Sequence, residues 1–313
     1  MAGALCAVAT CSFGAGVVVA RAQGEAVTQQ RPAAPAAATG TTRTADPTTP
    51  SSHPPAAATT RSDGRGAATR SVLDTTLAAA APGTLSVAAV DTETGTRYRG
   101  GDRDGHWLAS VYKLLVLEAL LLRHQDAGTA PTADEAEAAR AMIEHSDNRA
   151  GYRLYTRVGG AGALADTARR IGLTDLGTGR SDPAFTRTGA AGCVRALRAL
   201  TRPGELSAPS RRFALDLLHA VATDQRWGVG AAADGDDFAN KNGWLSVDDG
   251  NGSGEDDGGR WIVNSVGIVP AGGHQVVVAV LTQHQPSYAG GVALVRRLAR
   301  LAVAAARYPT PAR

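Results

Sequence analysis

His106-Trp-Leu-Ala-Ser-Val-Tyr-Lys-Leu-Leu-Val-Leu-Glu-Ala-Leu-Leu-Leu-Arg-His124 is the stretch on which the fold turns, because from Leu114 to Leu122 it is apolar on nearly every helical face. A helix without a polar face belongs inside a protein. The apolar run is too short to cross a bilayer, and the stretch contains Lys113 and Glu118, so it reads as the central helix of a soluble domain. Ser110 and Lys113 stand at its start. Three residues apart, they share one helical face, which brings a hydroxyl and an amine within reach of each other at a helix N-terminus.

The basic residues sharpen this reading. Of 32 Lys and Arg, lysine occurs only at positions 113 and 241. A chain that otherwise uses arginine keeps these two where an amine is wanted. An ammonium loses its proton readily when buried, and a guanidinium does not.

The 313 residues, 43% of them hydrophobic, suffice for a sizeable core. The net charge of +3 is spread along the chain, which argues against a nucleic-acid or membrane-surface role. Residues 1–20 are uncharged and largely apolar and lead into Ala20-Arg21-Ala22, the small-x-small pattern of an export signal, so residues 1–22 read as a signal peptide or anchor. The residue before Cys6 is leucine, not the small residue of a lipoprotein signal. Cleavage after Ala22 would leave Cys193 as the sole cysteine, a small core residue in a helical pattern, with no disulfide. The histidines lack ligand-like spacing, so no metal is expected.

Residues 23–68 are rich in Ala, Thr, Pro, Ser and Arg and read as a disordered linker. The folded domain is placed at 69–308. It opens with a helix capped by Ser71, then a hairpin over Thr84–Val90 and a short strand through Arg99. An all-helical block at about 106–222 comes next, with helices over 133–144, 148–158, 161–171, 189–200 and 209–222. Strands return at 238–247, 260–269 and 275–284, the first two joined by an acidic, glycine-rich loop, and a helix over 288–306 closes the chain. This order predicts an α+β fold: a five-stranded antiparallel sheet flanked by the terminal helices, with an inserted all-helical subdomain.

Three motifs fall in order: Ser110-Val-Tyr-Lys113, Ser146-Asp-Asn148 and Lys241-Asn-Gly243. Each alone has a plain structural reading: an exposed helical pair, a helix N-cap, a hairpin turn. Together they open a buried helix, sit inside the helical block and lie on the strand after it. On these motifs the chain resembles the serine β-lactamase and penicillin-binding superfamily, on the class A side. Trp227-Gly-Val229 and Trp261-Ile-Val-Asn264 add to the likeness, which spans roughly residues 70 to 308.

The resemblance implies roles. Ser110 attacks a carbonyl and Lys113 takes its proton, if burial and Lys241 depress the amine's pKa. Backbone N–H groups of Ser110 and Trp244 hold the oxyanion. Ser146 relays a proton to the leaving nitrogen, and Asn148 orients the substrate amide and Lys113. Lys241, with Asn242 and Gly243 beside it, attracts a substrate carboxylate. A bulky Trp244 is expected to narrow the site, and the short span from Ser110 to Ser146 to open one wall. Residues 173–188 contain no glutamate to activate a deacylating water. Asp182 is the nearest stand-in, with an Asx-turn before Pro183 as its plain reading.

The expectation is an exported, monomeric acyl-serine hydrolase without metal or cofactor. It acts on a small-molecule β-lactam or a peptidoglycan-type peptide, with no nucleic-acid partner. The alternatives are a D-Ala-D-Ala-directed peptidase and a penicillin-binding or wall-binding protein without turnover.

Overall fold

In the computed structural model the described residues are 56–81, 84–102, 105–178, 182–247 and 260–307. The expected signal segment, residues 23–55 of the expected linker and the acidic loop at 248–259 lie outside them. In chain order come α1 (Ala56–Ala78), β1 (Leu85–Asp91), β2 (Arg97–Gly101), β3 (His106–Trp107), α2 (Tyr112–Asp126), α3 (Ala133–Glu144), α4 (Asn148–Val158), α5 (Gly160–Arg170), β4 (Arg187–Thr188), α6 (Ala190–Thr201), α7 (Ala208–His219), β5 (Ala239–Val247), β6 (Arg260–Ala271), β7 (His274–Thr282) and α8 (Tyr288–Arg307). Short 3-10 turns occupy 109–111, 183–185, 223–225 and 228–232.

One five-stranded antiparallel sheet runs in the order β2-β1-β7-β6-β5. Both its faces are covered, which explains why β1 is buried at every position instead of alternating. Leu85, Val87 and Ala89 face Leu73, Leu77 and the apolar side of α8. Ala88 and Val90 face α2 and the helical block. On the helical side α2 is buried from Tyr112 to Leu122, as its all-round apolarity predicts.

Three differences from the sequence reading have physical causes. Helix α1 begins at Ala56, so residues 56–68 are helical, not linker, and Ser71 lies inside the helix, not at its cap. The Ala- and Arg-rich composition that suggested a linker is also good helix former. Ser110 sits in the 3-10 turn 109–111, and α2 proper starts at Tyr112. The two-residue ladder pairing His106 with Thr188 and Trp107 with Arg187 is too short to leave a period in the sequence.

Candidate active site

Three segments converge. The turn 109–111 presents Ser110, the entry to α4 presents Ser146 and Asn148, and β5 presents Lys241. Within Ser146-Asp-Asn148 the cap is Asp147, whose carboxylate accepts from the Ala150 N–H at 2.6 Å. Ser146 is therefore not the N-cap its plain reading suggested. It takes a left-handed backbone conformation (φ 55°), an uncommon one for a residue with a side chain.

Lys113 is at the centre and fully buried. Its Nζ donates to the Ser146 carbonyl at 2.6 Å and to Asn148 Oδ1 at 2.8 Å, and lies 3.1 Å from Ser110 Oγ and 3.3 Å from Ser146 Oγ. Lys241 is 1% exposed, and its Nζ donates to Ser146 Oγ at 2.8 Å and to its neighbour's carbonyl, that of Asn242, at 3.0 Å. Both lysines of the chain thus meet at Ser146. Burial pushes the Lys113 amine down to about 8, with the Asp147 carboxylate opposing the shift. Burial, and then the charge of Lys113, pushes Lys241 well below the usual lysine range. Two ammonium groups sharing one hydroxyl in a dry site are mutually unfavourable, so at least one amine is readily freed of its proton.

The remaining residues are distributed unevenly. Gly243 lies directly under the turn that carries Ser110: a Cβ there would come within 2.6 Å of the Leu108 carbonyl oxygen and 2.8 Å of the Ser110 and Val111 nitrogens. Only glycine allows this approach. The Asn242 side chain, in contrast, is buried on the sheet's other face, donating to the carbonyls of Gln225 and Trp227 at 2.7 and 3.4 Å and so directed away from Lys113 and Ser146. Trp244 shares that face. Its ring packs on Trp227 and Tyr288 at 5.9 and 6.0 Å, so the indole does not narrow the cleft as its bulk suggested. The two-residue period of a strand decides this: Lys241 and Gly243 point one way, Asn242 and Trp244 the other.

Asp182 caps the turn 183–185 through Oδ1, which accepts from the Ala184 N–H at 2.9 Å, as its Asx-turn reading predicts. That turn packs on the turn carrying Ser110. Trp107 and Phe185 meet edge to face beside it, with centroids 5.5 Å apart.

Two residues of the site escaped the sequence reading. Asn264 donates to the carbonyls of Trp107 and Leu108, just before Ser110, and Gly151 leaves space for the Lys113 stem, since a Cβ there would lie 2.8 Å from Lys113 Cε. In the sequence Asn264 stands out only as part of a family-like tetrad, and nothing local marks Gly151. Cys193 is buried and free, as expected.

A family model described as "Beta-lactamase enzyme family" matches residues 121–306, which includes Ser146, Asn148 and Lys241 and begins just after Lys113. LppW of Mycobacterium tuberculosis, named as a candidate lipoprotein, is 34% identical over 96 residues, so the match spans 31% of this chain and 31% of LppW. Among solved structures, a variant of the class A β-lactamase of the last common ancestor of Gram-negative bacteria is 27% identical, with a TM-score of 0.56, covering 77% of this chain and 98% of that one. PBP-A superposes with a TM-score of 0.62 at 19% identity, covering 75% and 94%, and a PBP-A mutant was solved as its acyl-enzyme complex with penicillin G. With more than half of its length matched by the family model and the same α+β architecture around its central helix, the chain belongs to the beta-lactamase enzyme family.

Proposed function

We propose that the protein is an exported acyl-serine hydrolase that opens a β-lactam, or a related amide, through an acyl-enzyme on Ser110. The observation that carries this reading is the position of Lys113 Nζ, 3.1 Å from Ser110 Oγ and held from two other sides by the Ser146 carbonyl and Asn148 Oδ1. A neutral amine spends its two N–H bonds on those carbonyl oxygens and keeps its lone pair for the serine proton. As Ser110 attacks, the proton passes to Lys113. Ser146, hydrogen-bonded to Lys241, delivers a proton to the leaving nitrogen, and the backbone N–H groups of Ser110 and Trp244 receive the oxyanion. A substrate carboxylate near Lys241 would favour its charged form and draw its pKa back up.

Deacylation separates two versions of this function. Asp182 caps the turn that packs on the turn carrying Ser110, and its Oδ1 is engaged in that capping. That engagement favours slow deacylation, which is the behaviour of a penicillin-binding protein or a D-Ala-D-Ala peptidase tested with a β-lactam. The apolar N-terminal run and the likeness to LppW support export. Among the described residues no helix is long and apolar enough to cross a membrane.

Incubation with a chromogenic cephalosporin, followed by absorbance and intact mass, tests the reading. Continued turnover identifies a lactamase. A lasting adduct on Ser110 identifies the slow-deacylating version, and cleavage of a D-Ala-D-Ala peptide then marks a peptidase. If no adduct or turnover occurs, the acyl-serine reading is wrong.

A further inference from the structure

The sheet reaches the nucleophile's turn through one buried side chain. Asn264, on β6, stands directly across from Gly243 of β5 and is fully buried. Its Nδ2 donates to the Trp107 carbonyl at 2.8 Å and to the Leu108 carbonyl at 3.2 Å. Its Oδ1 accepts from the Thr282 N–H at 2.9 Å, just beyond the point where the β6–β7 register ends at Ser265 and Val280. The amide's orientation is determined by these partners, because the reversed one would set Oδ1 against two carbonyl oxygens and Nδ2 against an N–H.

The backbone immediately after these two carbonyls is strained. Ala109 has φ of 44°, a left-handed conformation that a residue with a Cβ keeps only where its surroundings hold it. The Leu108 carbonyl belongs to the peptide plane that joins Leu108 to Ala109. Holding that oxygen therefore sets the rotation about the Ala109 N–Cα bond, and with it the direction in which Ser110 leaves the turn. Within the turn the same oxygen accepts from the Val111 N–H at 3.1 Å, while Leu108 N–H to the Thr186 carbonyl at 2.9 Å and Trp107 N–H to Gln283 Oε1 at 3.0 Å act upstream of that plane, so Asn264 ties the plane to the sheet.

We infer that Asn264 is a positioning residue: its amide holds the Leu108–Ala109 peptide in the left-handed turn and thereby aims the Ser110 hydroxyl and N–H into the site. It touches neither substrate nor the reacting atoms. The inference deepens the proposed function and rests on Ser110 being the nucleophile, so its test has one arm that does not depend on acylation.

The experiment compares the wild-type protein with Asn264→Leu and Asn264→Asp, each with and without Ala109→Gly. Leucine has a similar volume and no donor, and aspartate keeps the acceptor for Thr282 while losing the donors. Adduct formation at Ser110 with the cephalosporin should slow by about 100-fold in both Asn264 variants, the cost of a small misplacement of a reacting group. Adding Ala109→Gly should restore about tenfold of that loss, because glycine takes positive φ without strain, with the rate of Ala109→Gly alone as the reference for the rescue. The crystal structure of Asn264→Leu should show Ala109 at negative φ. Wild-type rates in both Asn264 variants, failure of the glycine to rescue, or an unchanged Ala109 φ would each overturn the inference. If the leucine variant does not fold, the aspartate variant carries the same comparisons. If the wild-type protein forms no adduct, the acyl-serine reading fails, and the Ala109 φ of the variant still decides the role of Asn264.

Discussion

Lys113 and Glu118 lie five residues apart on the same buried helix, and burial acts on them in opposite directions. For Lys113 it lowers the pKa to about 8, which makes the neutral base available near physiological pH. The adduct-forming rate should therefore rise with pH and level off above about 8. Lys113→Arg should reduce it by at least 100-fold, since a guanidinium does not give up its proton. Stopped-flow acylation across pH 6–10 checks both expectations, with roughly those limits set by the lysine and histidine ranges. Glu118 is fully buried, its two carboxylate oxygens have no partner among the described residues, and desolvation raises its pKa well above the usual value. The folded chain thus holds this proton more tightly than the unfolded chain does. Its contribution to stability is complete below about pH 4 and is lost as pH rises through the raised folded value. Glu118→Leu should stabilise the protein at pH 7 by about 1–3 kcal/mol, the cost of burying an unpaired polar group, and should flatten the decline of stability above pH 5. Urea melts of both proteins at several pH values measure this. An unchanged pH slope would mean that Glu118 is not held neutral.

At the scale of elements, α4 does two jobs. Asp147 caps it, and its first turn supplies Asn148 to Lys113, while Gly151 one turn later makes room for the lysine stem. A methyl at position 151 would also lie 3.2 Å from Tyr112 Oη, so the amine rather than the backbone has to yield. Gly151→Ala should slow acylation about tenfold. Its thermal stability should change little, because alanine suits a helix interior better than glycine does. A differential scan alongside the acylation assay separates these effects: a large loss of melting temperature at unchanged rate would contradict this account of Gly151. The spacing of motif two and the helix after it are readable from sequence because capping chemistry and helical periodicity are local. The clearance at Gly151 is not, because its neighbour Lys113 is 38 positions away in the chain.

At the scale of the whole molecule, the terminal helix is tied to the first strand. Asp91, fully buried at the end of β1, accepts from the N–H groups of Glu93 and Thr94, from His274 Nδ1 and from Arg307 of α8 at 2.5 Å. Burial alone would raise its pKa, but these donors outweigh it and hold the carboxylate well below the ordinary range. Its stabilising contribution is therefore present above about pH 4 and lost as pH falls below that. Arg307→Ala should cost about 1.5–3 kcal/mol at pH 7, the range for a hydrogen bond to a charged group. The difference from wild type should shrink at pH 3 or so, where the folded variant's carboxylate, without the Arg307 donor, gains a proton that the wild type still excludes; the unfolded carboxylate is common to both and cancels. Denaturant melts at the two pH values check this, and an equal penalty at both would rule out the charged pair as its source.

The sequence by itself determined the α+β order, the buried central helix, and the three motifs that carry both lysines, because periodicity, capping and residue chemistry act over a few positions. Its composition misjudged where α1 begins, since an Ala- and Arg-rich run suits a helix as well as a linker. Only the tertiary structure decided that Asp147, not Ser146, caps α4, and that Asn242 and Trp244 turn away from the cleft. The same is true of Asn264, which reaches from β6 to hold a strained turn about 150 residues earlier in the chain, as far as the pairing of the sheet can carry it. These outcomes depend on which strand face meets which helix, and that is settled by long-range packing rather than by any local stretch of chain.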